Sequence, residues 1–467
     1  MFCPRRFVHE IHGVCAMTRS ISRRQAALGF LALAGTVAAG CSGPGSSGPK
    51  PSNPGASPSQ APTIGSEPVT LKAYFETGFP MARALTEEFT RQYPNVTWDI
   101  REDQFAVITQ NAPRVLADDP PDLMRLPQLS ELVSNGLLLD LDGYANVFGW
   151  DRWPPSQLEQ LRSAPEGSPR GEGSLYGMGL NFSMTGVFYN KTLAERIGMS
   201  APPATLDEFD ALLSDAHDAG IVPIVQFNGG ATGGFAFPLQ NLMAAYGQPG
   251  PINDWIFQRP GADIDTPSNL SAVGHLQDWI RAGYFDPDAN AMEYAQMMGK
   301  FLAGDGLFMF NGDWESGNLD AEMPGEVGFF VMPPREAGGP VAAMSAPLTY
   351  GIGAHAKNPD HAAYFLNWVA TDERAREIAV EIGGSHPMGL PDAPMPEVEE
   401  GTVTAETLAA GALVSGDNGA MDFIANATGS IYAKGWTPQL QLLFAGEQSP
   451  EGLLAAVQNE YASGTGS

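Results

Sequence analysis

An α/β body built on largely parallel sheets is the fold class the sequence predicts, and three observations predict it. From residue 69 onward, short β-like runs alternate with segments whose apolar residues recur at helical spacing. Of the 467 residues 43% are hydrophobic and 17% charged, which is too apolar and too weakly charged for a mostly disordered chain. No internal repeat of fixed period is present, so the length points to two or three globular domains rather than an array.

Each opening element has its own reason. Residues 69–75 form a β-like run, and 81–92 place Met81, Ala84, Leu85 and Phe89 on one face of a helix. Residues 96–100 alternate as a strand. The unit recurs with a helix at 111–116, a strand at 121–126 and a helix at 129–138 that ends at the Gly136 stop signal. Strands joined through helices imply parallel pairing, because a parallel neighbour needs a long crossover. Further along, Thr205 and Glu208 make a capping box for the helix that follows.

Charge and cysteine usage bound the function. Lys and Arg total 25 against 53 Asp and Glu, a formal net charge of −28, so no basic surface is available for a nucleic-acid backbone or for anionic lipid. All three cysteines, Cys3, Cys15 and Cys41, fall in the first 41 residues, which excludes disulfides and thiolate metal sites downstream. From Met17, a better start than Met1, an Arg-bearing stretch precedes a short uncharged apolar run and small residues at 37–40, the pattern of a signal peptide over 1–40. The small residues before Cys41 resemble a bacterial lipobox, which implies a diacylated Cys41 and attachment to the membrane through that lipid anchor. Arg23 and Arg24 resemble a twin-arginine signal, and the general secretory route stands beside it. Residues 41–68, rich in Ser, Gly and Pro, read as a flexible tether. The expected location is therefore extracytoplasmic.

Several segments, in order, resemble the extracellular solute-binding proteins of ABC importers, in particular the maltose-binding-protein-like sugar binders. They are Gly173, Tyr176 and Gly177 followed by Tyr189, Asn190 and Lys191; Pro202, Pro203, Thr205 and Glu208; Ala219, Gly220, Ile221, Pro223 and Ile224; Gly304 through Gly312, Asp313 and Trp314; and the helix-like stretch 362–373. The resemblance spans roughly 69–389. It implies a two-lobe fold with a hinge and an interlobe ligand cleft, one lobe from 69–184 with 320–370 and the other from 185–319 with 371–467. It also implies capture of a sugar, oligosaccharide or related polyol and delivery to the importer's transmembrane permease, by a monomer that needs no cofactor and no metal.

Catalytic signatures are scarce. The chain has no nucleophile elbow, no zinc-protease helix and no phosphate loop, and its histidines are not paired at metal-ligand spacing. Asp140 and Asp142 look like half a calcium loop without the closing Glu, and read as a solvated turn. Sugar recognition asks for aromatic faces together with carboxylates, amides and Arg. Glu76 and Thr77 follow the first strand, where open α/β sheets place ligands; a simple helix-start cap is the competing reading. Arg125 follows the strand at 121–126, where relatives carry a sugar-contacting residue; an exposed charge competes. Asn181 and Phe182 precede the first implied crossover, and Asn228 follows Phe227 ahead of a Gly-rich run; core packing competes for the phenylalanines. The resemblance makes Trp314 a sugar-stacking residue, with Asp313 beside it to bond hydroxyls. Ser345 and Tyr350 lie in a segment where relatives present backbone to ligand, and Trp436 is a second candidate platform that core packing also explains. Trp255, Trp279 and Trp368 read as packing. A glycan hydrolase, a surface adhesin, and a binder of a non-sugar solute such as a glycerol phosphodiester are the alternatives.

Overall fold

The structure, a computed structural model, describes residues 58–467 apart from 346, 391, 417–418 and 466–467. The expected signal peptide, Cys41 and the tether up to residue 57 lie outside the described residues. The last part of that expected tether is packed on the body. Ile64 rests against the first hydrophobic core, and the Asn95 side chain donates to the carbonyls of Gly65 and Glu67, each at 2.9 Å.

Strand β1 (Val69–Glu76) forms because its Leu71, Ala73 and Phe75 point to one buried face while Tyr74 points to the other. It pairs in parallel with β2 (Val96–Asp103) along its whole length and with β3 (Leu123–Arg125). Helix α1 (Pro80–Gln92) makes the first crossover, with the expected Met81, Leu85 and Phe89 buried and a proline at its first position, where no backbone donor is lost. Helix α2 (Phe105–Asp118) starts six residues before the expected 111–116, and Gly136, at φ 65°, closes the next short helix as expected. Two further strands, Thr349–Gly351 and Met178–Gly179, complete a five-stranded sheet and run antiparallel to their neighbours.

A second core forms around an antiparallel three-stranded sheet of Phe308–Gly312, Thr185–Asn190 and Val327–Phe330. The expectation of parallel pairing therefore holds for β1 to β3 and fails here, where Thr185–Asn190 is flanked on both sides by antiparallel strands from more than a hundred residues later in the chain. Phe209 packs edge to face with Phe308, Phe310 and Trp279, and Phe188 lies against Phe329 at 4.8 Å, each large buried side chain contributing about 1.5–3 kcal/mol. Thr205 caps the helix Leu206–Asp218 by accepting from the Glu208 backbone at 3.2 Å, while the Glu208 carboxylate reaches the Ala204 N–H at 2.7 Å.

The chain passes between the two cores at 182–184, 344–348 and 388–403, and two of these crossings are stitched to one another. Met184 bridges Ser345, and Phe182 donates its N–H to His386 at 2.7 Å. Two expected lobe boundaries move. Residues 327–344 belong to the second core because Val327–Phe330 is hydrogen-bonded to Thr185–Asn190, and the helix Glu373–Glu381 belongs to the first because Ala375, Ile378 and Ala379 pack there. Away from the crossings, Arg170 on a loop of the first lobe is buried against the second, paired with Asp422 and donating to the Asn426 carbonyl at 3.1 Å.

Candidate functional site

On the first lobe, β1 and β3 end side by side and bring Glu76 and Arg125 together. Arg125 Nε donates to Glu76 Oε2 at 3.0 Å, and both side chains are mostly covered, at 15% and 11% exposure. The guanidinium also bonds the Leu126 carbonyl at 2.5 Å and lies 4.9 Å from the centre of the Phe105 ring. Burial raises the Glu76 carboxyl above its usual range, against the pull of Arg125. Tyr350, paired with Arg125 across the sheet, is fully buried, its ring edge-on to Phe75 at 5.5 Å. Its hydroxyl has no hydrogen-bond partner, and burial holds the phenol far above its ordinary pKa. An orphaned buried hydroxyl costs about 1–3 kcal/mol, so Tyr350→Phe should unfold in urea at an equal or higher midpoint; a lower midpoint would show that the hydroxyl is paired after all. Thr77 is exposed, and its N–H donates to the Asp103 carbonyl at 3.0 Å.

From Thr77 the chain turns into α1, whose Met81 reaches the crossings: its sulfur lies 4.0 Å from the Asn181 amide nitrogen. Asn181 is itself buried, its Oδ1 accepting from Leu348 N at 3.2 Å, so it ties the first crossing to the second. Ser345 is buried and accepts from Gln160 at 3.1 Å.

Asp313 sits in the same region with no exposed surface. Its N–H donates to the Met184 carbonyl at 3.0 Å, and its Oδ1 accepts from Ser385 at 2.8 Å, whose hydroxyl lies 3.0 Å from that of Ser183. Ser316 adds a bond to the Gly384 carbonyl at 2.8 Å. With Oδ2 unpartnered, burial pushes the Asp313 carboxyl up to about 8, despite the Ser385 and backbone hydrogen bonds that pull it down. A raised carboxyl stabilises the fold fully below the unfolded value near 4 and loses that contribution as pH rises toward 8. Asp313→Asn, which mimics the protonated form, should therefore gain urea stability over the native chain on going from pH 5 to pH 8. Parallel pH profiles for the two proteins would contradict this.

Trp314 follows immediately and is only half-buried. Its indole N–H donates to the Tyr294 hydroxyl at 2.9 Å, while that hydroxyl donates to Glu315 at 2.6 Å and accepts from Asn311 at 3.1 Å. A phenol has one proton and two lone pairs, so Tyr294 is saturated and the indole is fixed in one orientation. Burial and the Glu315 charge keep its proton on, well above the ordinary pKa. Gly312 is required beneath the ring, because a Cβ there would come within 1.9 Å of the indole. Phe237 stands edge-on to Trp314 at 6.2 Å and beside Phe423 at 5.8 Å, and Phe423 is edge-on to Tyr432 at 5.1 Å. Trp314, Phe423 and Tyr432 are half-buried and form a partly open aromatic shelf.

The structure thus brings Glu76, Arg125 and Tyr350 together on one lobe, and groups Asn181, Ser345, Asp313 and Trp314 at or beside the crossings. Two candidates are corrected. Phe182 is fully buried in the first core, and Trp436 is fully buried in the second, donating to the Ile424 carbonyl at 3.2 Å and packed edge-on against Trp255 at 5.9 Å. Asn228 is buried and bonded to Asn290 at 2.7 Å, its backbone carbonyl accepting from Gln441 at 2.8 Å. Tyr294, Glu315, Phe237, Phe423 and Tyr432 were not expected; Tyr294 lies 20 residues from Trp314, and only the fold joins them. A groove of about 430 Å³ lined by Phe330, Met332, Pro334 and Leu413 contains none of the expected residues.

Comparison with known proteins points one way. The sequence pattern of bacterial extracellular solute-binding proteins matches residues 65–375, more than half of the chain. A probable sugar-binding periplasmic protein of Mesorhizobium japonicum is 25% identical over 187 residues, 40% of this chain and 42% of that protein. A multiple sugar-binding protein of Streptococcus mutans is 23% identical over 287 residues, 58% of this chain and 63% of its own length. The matches thus span less than two thirds of either relative. Among solved structures, a chitin oligosaccharide binding protein superimposes with a TM-score of 0.69 at 19% identity, over 86% of this chain and all of that one, which establishes the two-lobe fold.

Proposed function

This chain belongs to the bacterial extracellular solute-binding protein family, and from that premise we propose that it captures a sugar or oligosaccharide between its two lobes and delivers it to the permease of an ABC importer. The observation that carries the reading is Trp314. A half-buried indole, locked by Tyr294 and placed where the second lobe leaves the crossings, is the flat apolar face that sugar C–H patches require. Glu76 and Arg125 on the other lobe supply acceptors and donors for hydroxyl groups. Three crossings, two of them stitched to one another, give the lobes a hinge, so closure on a ligand would distinguish the loaded from the empty protein. The sugar-binding names of the relatives support the same ligand class.

The chain acts without chemistry of its own, as a monomer, and outside the cytoplasm. Cys41 carries a diacyl anchor, and the Ser-, Gly- and Pro-rich stretch after it keeps the body near the membrane. Replacing Cys41 by Ala should release the protein from the membrane fraction of its host; a variant that stays bound would refute the anchor. The sugar reading is tested by thermal melting with maltose, raffinose, chitotriose and xylotriose at millimolar concentration. A rise in melting temperature with at least one saccharide, without release of reducing ends, is expected. No shift with any of them, or hydrolysis of one, would overturn it.

A further inference from the structure

The chain is short of cations, and those at the strand ends of the first lobe are already engaged. Arg125 is held by Glu76 at 3.0 Å, Arg83 by Glu102 at 2.7 Å and Arg101 by Asp103 at 2.6 Å. Where the second lobe leaves the crossings, Asp313, Glu315, Trp314 and Tyr294 contribute carboxyl groups and aromatic faces and no positive charge. His386, beside Phe182, is buried and donates or accepts through Nδ1 at the Pro387 carbonyl, 2.8 Å away, and burial lowers its pKa toward the neutral imidazole.

An anionic ligand entering beside the Glu76–Arg125 pair would lose water and find that guanidinium already engaged, whereas a neutral hydroxylated one needs only donors and acceptors. We propose that Glu76 sets the charge selectivity of the site: by occupying the Arg125 guanidinium it leaves a charge-balanced floor that accepts neutral saccharides and rejects those bearing a carboxylate or phosphodiester. This rests on the sugar-binding reading above and narrows its ligand class. Glu76 and Arg125 share one hydrogen bond at the carboxyl ends of two adjacent strands, and the pair is mostly covered, so water screens it little and the neutralisation is local.

The test is calorimetric titration of the native chain and of Glu76→Gln with chitotriose, xylotriose and maltotriose, set beside trigalacturonate and bis-glycerol phosphate. The native chain should bind its best neutral saccharide at least about tenfold more tightly than either anion, and Glu76→Gln should shrink that gap by about tenfold, more at low salt than at high. Arg125→Gln, which leaves Glu76 bare, should widen it and serves equally if Glu76→Gln does not fold. An anion bound as tightly as the neutral sugars, or a gap unmoved by both substitutions, overturns the selectivity while sparing the sugar reading. Failure of every saccharide to bind overturns the sugar reading, and the selectivity with it.

Discussion

Trp314→Ala should weaken saccharide binding roughly five- to 150-fold, the equivalent of about 1–3 kcal/mol at 1.4 kcal/mol per tenfold. Truncation removes the indole's apolar contact with the sugar ring, and neither immediate neighbour replaces it: Phe237 stands edge-on to it and Gly312 offers no side chain. The loss should appear in affinity more than in stability, because the residue is only half-buried. Tyr294→Phe keeps the packing but removes the acceptor for the indole N–H, at a net cost of about 0.5–1.5 kcal/mol. It should lower affinity by a smaller factor and in the same direction. Titration and urea unfolding of the same variants separate these effects; unchanged affinity for Trp314→Ala with a large loss of stability would move the residue from site to core.

Trp436→Ala should do the reverse. Its ring has no exposed surface, its N–H is spent on the Ile424 carbonyl, and it packs against Trp255, which is itself stacked on Tyr461 at 4.7 Å. Truncating a fully enclosed tryptophan leaves a cavity and typically costs about 3–5 kcal/mol. The urea midpoint should fall strongly while the affinity of the folded fraction stays within a few-fold of native. A specific loss of affinity with native stability would return Trp436 to the ligand site.

The contrast between the two tryptophans shows what the sequence could and could not reveal. Local periodicity placed β1, α1, β2 and β3 within a few residues, because one buried face per element leaves its mark on the spacing of apolar side chains. The antiparallel partners at 308–312 and 327–330 were illegible, since a fully buried strand carries no alternation to read. In the candidate site, the Glu76–Arg125 pair was foreshadowed by its position at strand ends, though the ion pair itself joins residues 49 apart and needed the fold. Trp436 shares with Trp314 only the residue type that a sugar platform needs. Its burial is set by the helix that begins at Thr437 and the one at Pro450–Thr465, which close over it. Asp313 adjoins Trp314 in the sequence, which suggests a hydroxyl binder; its buried bond to Ser385, 72 residues later, is set by the fold alone.

A saccharide held jointly by the two lobes at the crossings should protect both of them at once. Hydrogen–deuterium exchange with and without a saturating bound saccharide measures this directly. Slower exchange is expected in segments of both lobes at once, around Glu76 to Met81 and Arg125 on the first and around Asn311 to Ser316 on the second, together with the crossing at 181–185. Protection confined to one lobe, or centred on the Phe330–Leu413 groove with the crossings unchanged, would contradict it.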